Sequence, residues 1–174
     1  MQPRVTAILV ARNGADYLER TLQALASQTR KPDATVLVDA GSSDSTLSIL
    51  AEANPTQLVT ASGHGGFGDA VAYALHAALL EASDDDWIWL LSHDSAPDRD
   101  ALATLLAAVE VAPSVAIAGP KLMRWDRADT IAQYGETMTR FGASILLVDN
   151  ELDQSQYDTQ SDLLGVSAKG MLVR

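Results

Sequence analysis

No cysteine occurs in the 174 residues, which excludes disulfide frameworks, thiolate zinc sites, cysteine nucleophiles and iron–sulfur clusters. That absence suits a reducing compartment. Positive charge is also scarce: 12 Lys and Arg stand against 23 Asp and Glu, a formal net charge of −11. A surface so acidic is not built to neutralise nucleic-acid phosphate or to lie on anionic lipid, so nucleic acid is excluded as a partner. Any phosphate ligand must be met locally, by backbone N–H groups, one or two Arg, or a metal. Long apolar runs are missing too. Residues 5–10 are apolar over far too short a stretch for a membrane span and are followed by no small-residue cleavage site, so this segment is expected to be cytoplasmic. There is no internal repeat and no low-complexity linker, and the length suits one domain with a real core. Residues 165–174 read as a strand still running at the end of the sequence, which suggests a piece of a longer protein.

What is present is a regular alternation of strand and helix. Residues 5–11 form a continuous apolar run ended by Arg12-Asn13-Gly14, the pattern of a strand buried on both faces. Asp16 and Glu19 have capping-box spacing, and Leu18, Leu22 and Leu25 share a helical face, predicting a helix to about Gln28. Residues 35–38 predict a short strand leading to Asp39, and residues 41–44 offer N-caps for a helix ended by Asn54-Pro55. A third strand is expected at 57–60, and a helix at 70–82 with Val71, Ala74, Leu75, Ala78 and Leu79 inward. A strand follows at 87–91, then a helix with Pro97 in its first turn and Leu102, Leu105, Leu106 and Val109 as its stripe up to Pro113. Residues 115–118 make a fifth strand. Such βαβ units imply right-handed crossovers and a mostly parallel sheet, an α/β fold. Beyond Gly119 the pattern changes to an extended hairpin region at 137–148, a polar loop at 151–162 and a strand at 163–173.

In an open α/β sheet ligands bind beyond the carboxyl ends of the strands. The residues there are Arg12 and Asn13, then Asp39 with Ser42, Ser43 and Asp44, then 62–68, and Asp94. Asp39 and Asp94 thus fall on one edge, which suits a ligand that brings phosphates and a bridging divalent cation. Asp39 can equally be a turn former, and Asp94 a cap near Pro97. Two strings mislead. Gly63-His-Gly65-Gly-Phe-Gly68 satisfies the dinucleotide spacing but follows the third strand instead of the first, and the candidate acids Asp84 to Asp86 precede the next strand, at its wrong end. Asp84-Asp85-Asp86 contains an Asp-X-Asp string at the amino end of its strand, on the far edge from Asp39. Trp87 and Trp89 share a strand face and read as core, and His64 and His76 have no metal-ligand spacing. A phospho-acceptor domain would need an acidic pair after the first strand, where Arg12-Asn13 stand.

Three pieces, Val-Thr-Ala-Ile-Leu-Val-Ala11-Arg12-Asn13-Gly, Val-Leu-Val-Asp39-Ala-Gly-Ser42-Ser-Asp44-Ser-Thr and Trp-Ile-Trp-Leu-Leu-Ser-His93-Asp94-Ser-Ala-Pro, resemble in order and spacing the opening half of family 2 glycosyltransferases. The resemblance spans nearly the whole chain. Gly119-Pro-Lys, Glu151-Leu-Asp-Gln-Ser-Gln-Tyr-Asp158 and Gly170-Met-Leu-Val-Arg174 look like the actinobacterial branch acting on cell-envelope glycans. The resemblance implies a GT-A, Rossmann-like fold, a mostly parallel sheet flanked by helices and truncated before the end of the acceptor half. Residues 1–118 would bind the nucleotide sugar and 119–174 would begin the acceptor side. It implies inverting transfer from a UDP- or dTDP-type donor to a glycan or lipid-linked acceptor, at the cytoplasmic face of the membrane.

By the same resemblance Asp39 holds the base or ribose and Asp44 supports its loop. Ala11, Arg12, Asn13 and Ser42 line the nucleotide, with Gly66 and Gly68 passing near it. Asp94 is the last carboxylate of the Asp-X-Asp signature for a divalent cation, Mg²⁺ or Mn²⁺. The family pattern reads His-Asp-Asp-Ser-Ala-Pro where this chain has Ser92-His93-Asp94-Ser95-Ala96-Pro97. His93 therefore stands where a second carboxylate is expected, either as a metal ligand or as a tolerated loop residue. The catalytic base belongs to the acceptor half and is expected beyond Arg174, so the chain alone is expected to be inactive. The alternative is a non-catalytic nucleotide-binding module.

Overall fold

The computed structural model describes residues 3–63, 66–78, 85–112, 114–159 and 162–174. Expectations at His64, Gly65, Leu79, the helix end at Ala82, Asp84 and Pro113 lie outside the described residues. A six-stranded sheet has the order β3-β2-β1-β4-β9-β5, and a three-stranded sheet the order β6-β7-β8. In the first, β1 (Val5–Ala11), β2 (Ala34–Asp39), β3 (Gln57–Thr60) and β4 (Trp87–Ser92) run parallel. Between β4 and the short β5 (Ile117–Ala118) lies β9 (Leu172–Val173), antiparallel to both.

All seven residues of β1 are buried because helices cover both of its faces. Val5, Ala7, Leu9 and Ala11 pack with Leu18 and Leu25 of α1 (Ala15–Ala26), Leu50 of α2 (Thr46–Glu52) and Leu102, Leu105 and Val109 of α4 (Ala101–Glu110). The alternate residues Ile8 and Val10 pack with Ala70, Val71 and Ala74 of α3 (Phe67–Ala78). This is the period-two alternation of a strand between two layers. Trp87 and Trp89 are core residues, as expected.

Several local readings are corrected by tertiary contacts. The α1 N-cap is Gly14, and Asp16-Glu19 forms no capping box. Orphan N–H groups at that terminus are met instead from the neighbouring loop: Gly14 N donates to Thr46 Oγ1 at 2.8 Å and Ala15 N to Asp44 Oδ2 at 3.2 Å. Helix α1 stops at Ala26, and Gln28 bridges to the start of α4, donating from Nε2 to Asp98 O and accepting at Oε1 from Leu102 N. Helix α4 begins at Ala101, leaving Pro97 in the preceding loop. Helix α3 begins earlier than expected, at Phe67.

The second sheet holds β6 (Leu122–Met123), which the sequence pattern did not reveal, with β7 (Thr130–Met138) and β8 (Ser144–Leu152) as the hairpin. Glu151 therefore lies in a strand, not a loop. The strand expected at 163–173 is split between the two sheets. Gly165 bridges Glu136 of β7, exchanging two backbone bonds of 2.8 and 3.1 Å, and only Leu172–Val173 joins the first sheet.

Candidate functional site

Register places Ala11 opposite Asp39, Asp39 opposite Thr60, and Val10 opposite Ser92, so the carboxyl ends of β1 to β4 form one edge. Asp39 and Asp94 both belong to it, on either side of β1. The loops after β1 and β2 are laced together there. Asn13 N donates to Ser42 Oγ at 3.0 Å, and Ser43 N donates to Asn13 Oδ1 at 2.8 Å. Asp44 Oδ1 accepts from Thr46 N at 3.0 Å, and its bonds to Thr46 hold its carboxyl below the ordinary value. Asp39 is only 3% exposed, and its two carboxylate oxygens accept from Ser42 N at 3.2 and 3.4 Å. The carboxylate closes this turn while keeping acceptor capacity at the edge.

After β4 the chain turns at His93, whose N–H donates to Val10 O and whose carbonyl accepts from Thr21 Oγ1 at 2.7 Å. The imidazole lies against Gly14, where a Cβ would come within 2.6 Å of ring carbons. Glycine at 14 is thus required by close approach. Asp94 Oδ2 is paired with Lys169 Nζ at 2.6 Å, while Oδ1 is buried and has no hydrogen-bond partner among the described residues. Burial raises the carboxyl pKa, but the bond and charge of Lys169, with the neighbouring Ser92 and His93, outweigh it and leave Asp94 below its usual value. Trp125 Nε1 donates to Asp94 O at 3.1 Å, and the Arg20 guanidinium lies 4.1 Å from the Trp125 ring centre. Asp94, Lys169, Trp125, Arg20 and Lys121 line a cleft of about 620 Å³ between the two sheets.

The model of glycosyl transferase family 2 matches residues 6–156. The chain belongs to that family. It is 35% identical over 112 residues to the galactofuranosyltransferase GlfT1 of Mycobacterium tuberculosis (strain ATCC 25618 / H37Rv), covering 63% of this chain and 37% of that protein. Among solved structures, the mannosyltransferase PcManGT of Pyrobaculum calidifontis, in complex with GDP-Man and Mn²⁺, aligns with a TM-score of 0.52 and 27% identity, over 71% of this chain and 36% of that one. M. tuberculosis glucosyl-3-phosphoglycerate synthase, in complex with Mn²⁺, UDP and glucosyl-3-phosphoglycerate, aligns with a TM-score of 0.56 over 72% of this chain and 46% of that one. Its 16% identity makes that a likeness of fold. The chain thus spans less than half the length of these relatives, and its fold is the GT-A fold of glycosyltransferases.

Within this family member, other sequence-selected groups fall as follows. Gly66 and Gly68 follow the carboxyl end of β3, and a Cβ on either would meet nothing within 4 Å, so packing does not demand glycine there. Asp85 and Asp86 precede β4, at the opposite edge. His76 is exposed on α3. Lys121 lies between Asp153 at 2.6 Å and Asp158 at 2.7 Å, and Glu151 accepts from Gln156 and Tyr157. Among the described residues no group of three or more His, Asp or Glu forms a metal cage. The unpartnered Asp94 Oδ1 fits a single cation ligand. Lys169, Trp125 and Arg20 were missed by the sequence reading. Lys169 sits immediately before a recognised Gly-Met-Leu-Val-Arg string, but its partner is 75 residues away. No helix among the described residues is long and apolar enough to cross a membrane.

Proposed function

We propose that this chain is the donor-binding part of an inverting glycosyltransferase that moves a sugar from a nucleoside diphosphate to a hydroxyl. The observation that carries the reading is the pair of carboxylates, Asp39 and Asp94, at the ends of β2 and β4 on one edge of a family 2 fold. In such a transfer the acceptor oxygen bonds to the anomeric carbon as the bond to the diphosphate breaks, while the acceptor proton passes to a base. Asp39, with the laced loops carrying Ala11, Arg12, Asn13, Ser42 and Asp44, holds the nucleoside, and Gly66 and Gly68 let the α3 loop pass close to it.

Asp94 Oδ1 would hold a divalent cation, Mn²⁺ or Mg²⁺, whose remaining ligands come with the diphosphate. When bound, that ion supplies positive charge against the leaving group. His93, facing Gly14, is the weaker candidate as its ligand. Asp153 and Asp158 are held by Lys121, which favours neither as the base. On this reading residues 1–118 hold the donor and 119–174 begin the acceptor side. The chain alone binds donor without transferring it. On the same reading the donor is of the UDP or dTDP type, the acceptor is a glycan or lipid-linked, and the place is cell-envelope synthesis at the cytoplasmic face of the membrane; what the likeness to a galactofuranosyltransferase supports is the transfer of a sugar.

Calorimetric titration with UDP and dTDP tests the donor site. Asp39→Ala is expected to weaken binding at least about tenfold, or ~1.4 kcal/mol. Equal affinity in wild type and variant would sink the assignment.

A further inference from the structure

The return of the chain from the second sheet carries a cation to the donor edge. Gly170 N donates to Leu90 O at 2.8 Å and Gly170 O accepts from Trp89 Nε1 at 3.1 Å, so the backbone beside Lys169 is clamped to β4. Gly170 has φ of 89°, and Pro120 lies 2.8 Å from where a Cβ would stand, so the turn needs glycine on both counts. With β9 inserted beside β4, Lys169 stands next to that clamp and pairs with Asp94 at 2.6 Å.

Stability does not account for this pair. The side chains are 48% and 30% exposed, and an ion pair in that setting contributes about 0–1 kcal/mol. The ammonium has three N–H donors, of which Asp94 takes one, and Lys169 is among the residues that line the cleft. The cleft's other cations are differently engaged: Lys121 by Asp153 and Asp158, Arg124 by Asp126 and Asn150, and Arg20 over Trp125.

We propose that Lys169 is the protein's own positive charge for the donor diphosphate, so that nucleotide binding survives removal of divalent cations. The inference rests on the proposed donor site. A divalent cation of the Mg²⁺ type needs about six oxygen ligands, and among the described residues Asp94 Oδ1 is the buried carboxylate oxygen left without a partner. The other oxygen of Asp94 already holds the ammonium, and the His93 ring packs against Gly14. An ammonium donating to phosphate oxygens makes charge-assisted bonds without a coordination cage. In a chain of net charge −11, a diphosphate approaching Asp94 meets repulsion unless a cation is already in place.

The experiment is calorimetric titration of the full 174-residue chain with UDP, and in parallel dTDP and GDP, in EDTA and in Mn²⁺. Wild type should bind in EDTA within about threefold of its affinity in Mn²⁺, and Lys169→Ala should lose at least about tenfold in EDTA. Mn²⁺ should restore most of that loss, because Asp94 is then free for the metal. Lys169→Arg should keep binding in EDTA, which separates charge from side-chain shape if Lys169→Ala folds poorly. Wild type that binds only with Mn²⁺, or Lys169→Ala that binds as tightly as wild type in EDTA, overturns the proposal while leaving the donor site standing. Binding of none of the three nucleotides in either buffer overturns the donor site and this proposal together.

Discussion

Strands β1 and β8 are both rich in apolar residues, yet every residue of β1 is buried while only Val148 is buried among the nine of β8. The difference lies in the layers around them. Strand β1 is covered by α1 and α4 on one face and α3 on the other, whereas β8 is the edge strand of a three-stranded sheet with Ile145 and Leu147 49% and 45% exposed. A parallel sheet made by βαβ crossovers buries both faces, and an antiparallel hairpin need not. The apolar run therefore identified the first sheet's central strand reliably and carried little information about the second.

The comparison can be broken most directly in the two cores. Trp89 is fully buried in the larger cluster and bonded to Gly170, so Trp89→Ala is expected to cost about 3–5 kcal/mol. Ile131 is as completely buried, but among the described residues its cluster has only Tyr134 and Val148 as fellow buried members. Its surroundings can collapse more easily, so Ile131→Ala is expected near the lower end of the usual range, about 2 kcal/mol. Urea denaturation measures both. Equal losses would mean that the second sheet is packed as tightly as the first.

A smaller effect is expected from two buried threonines, one in each region. Thr46→Val removes the acceptor of the buried Gly14 N–H and strands that donor, at about 1–3 kcal/mol, and should also loosen the laced loops and weaken UDP binding. Thr130→Val removes a donor to Asp129, an exposed carboxylate that water can satisfy, and is expected to cost no more than about 0.5–1 kcal/mol. Thermal melts with paired titrations check both, and a Thr130 variant that loses more than the Thr46 variant would reverse the ranking.

These contrasts also show what could be read from the residues alone. The four parallel strands and the helices between them were legible because period-two and period-3.6 patterns report burial directly, and the positions of Asp39 and Asp94 followed from strand ends. The helix caps were not. Asp16-Glu19 has the right spacing for a local cap, yet Thr46 and Asp44 from the next loop serve α1 instead, which only tertiary packing decides. Residues 163–173 read as one strand because nothing local says that Gly165 pairs with Glu136 and Leu172 with Trp89. The same non-local insertion hid Lys169, the cation at the candidate site.

The smallest expected effect separates two roles for the glycines before α3. Gly68 lies in the first turn of that helix, and a Cβ there meets open space. Alanine fits helical backbone and narrows the unfolded ensemble, so Gly68→Ala should stabilise the chain by about 0.4–1 kcal/mol. If the residue serves only to start a helix, that gain is the whole result and UDP binds unchanged. The donor reading expects a further outcome, because the space left open beyond Gly68 is where the nucleotide passes and a methyl group would intrude on it. The variant should therefore melt higher and bind UDP more weakly, two changes of opposite sign that a general loosening of the fold cannot produce. Differential scanning calorimetry and titration on the same preparation measure both, and a higher melting temperature with unaltered affinity would remove Gly68 from the donor site.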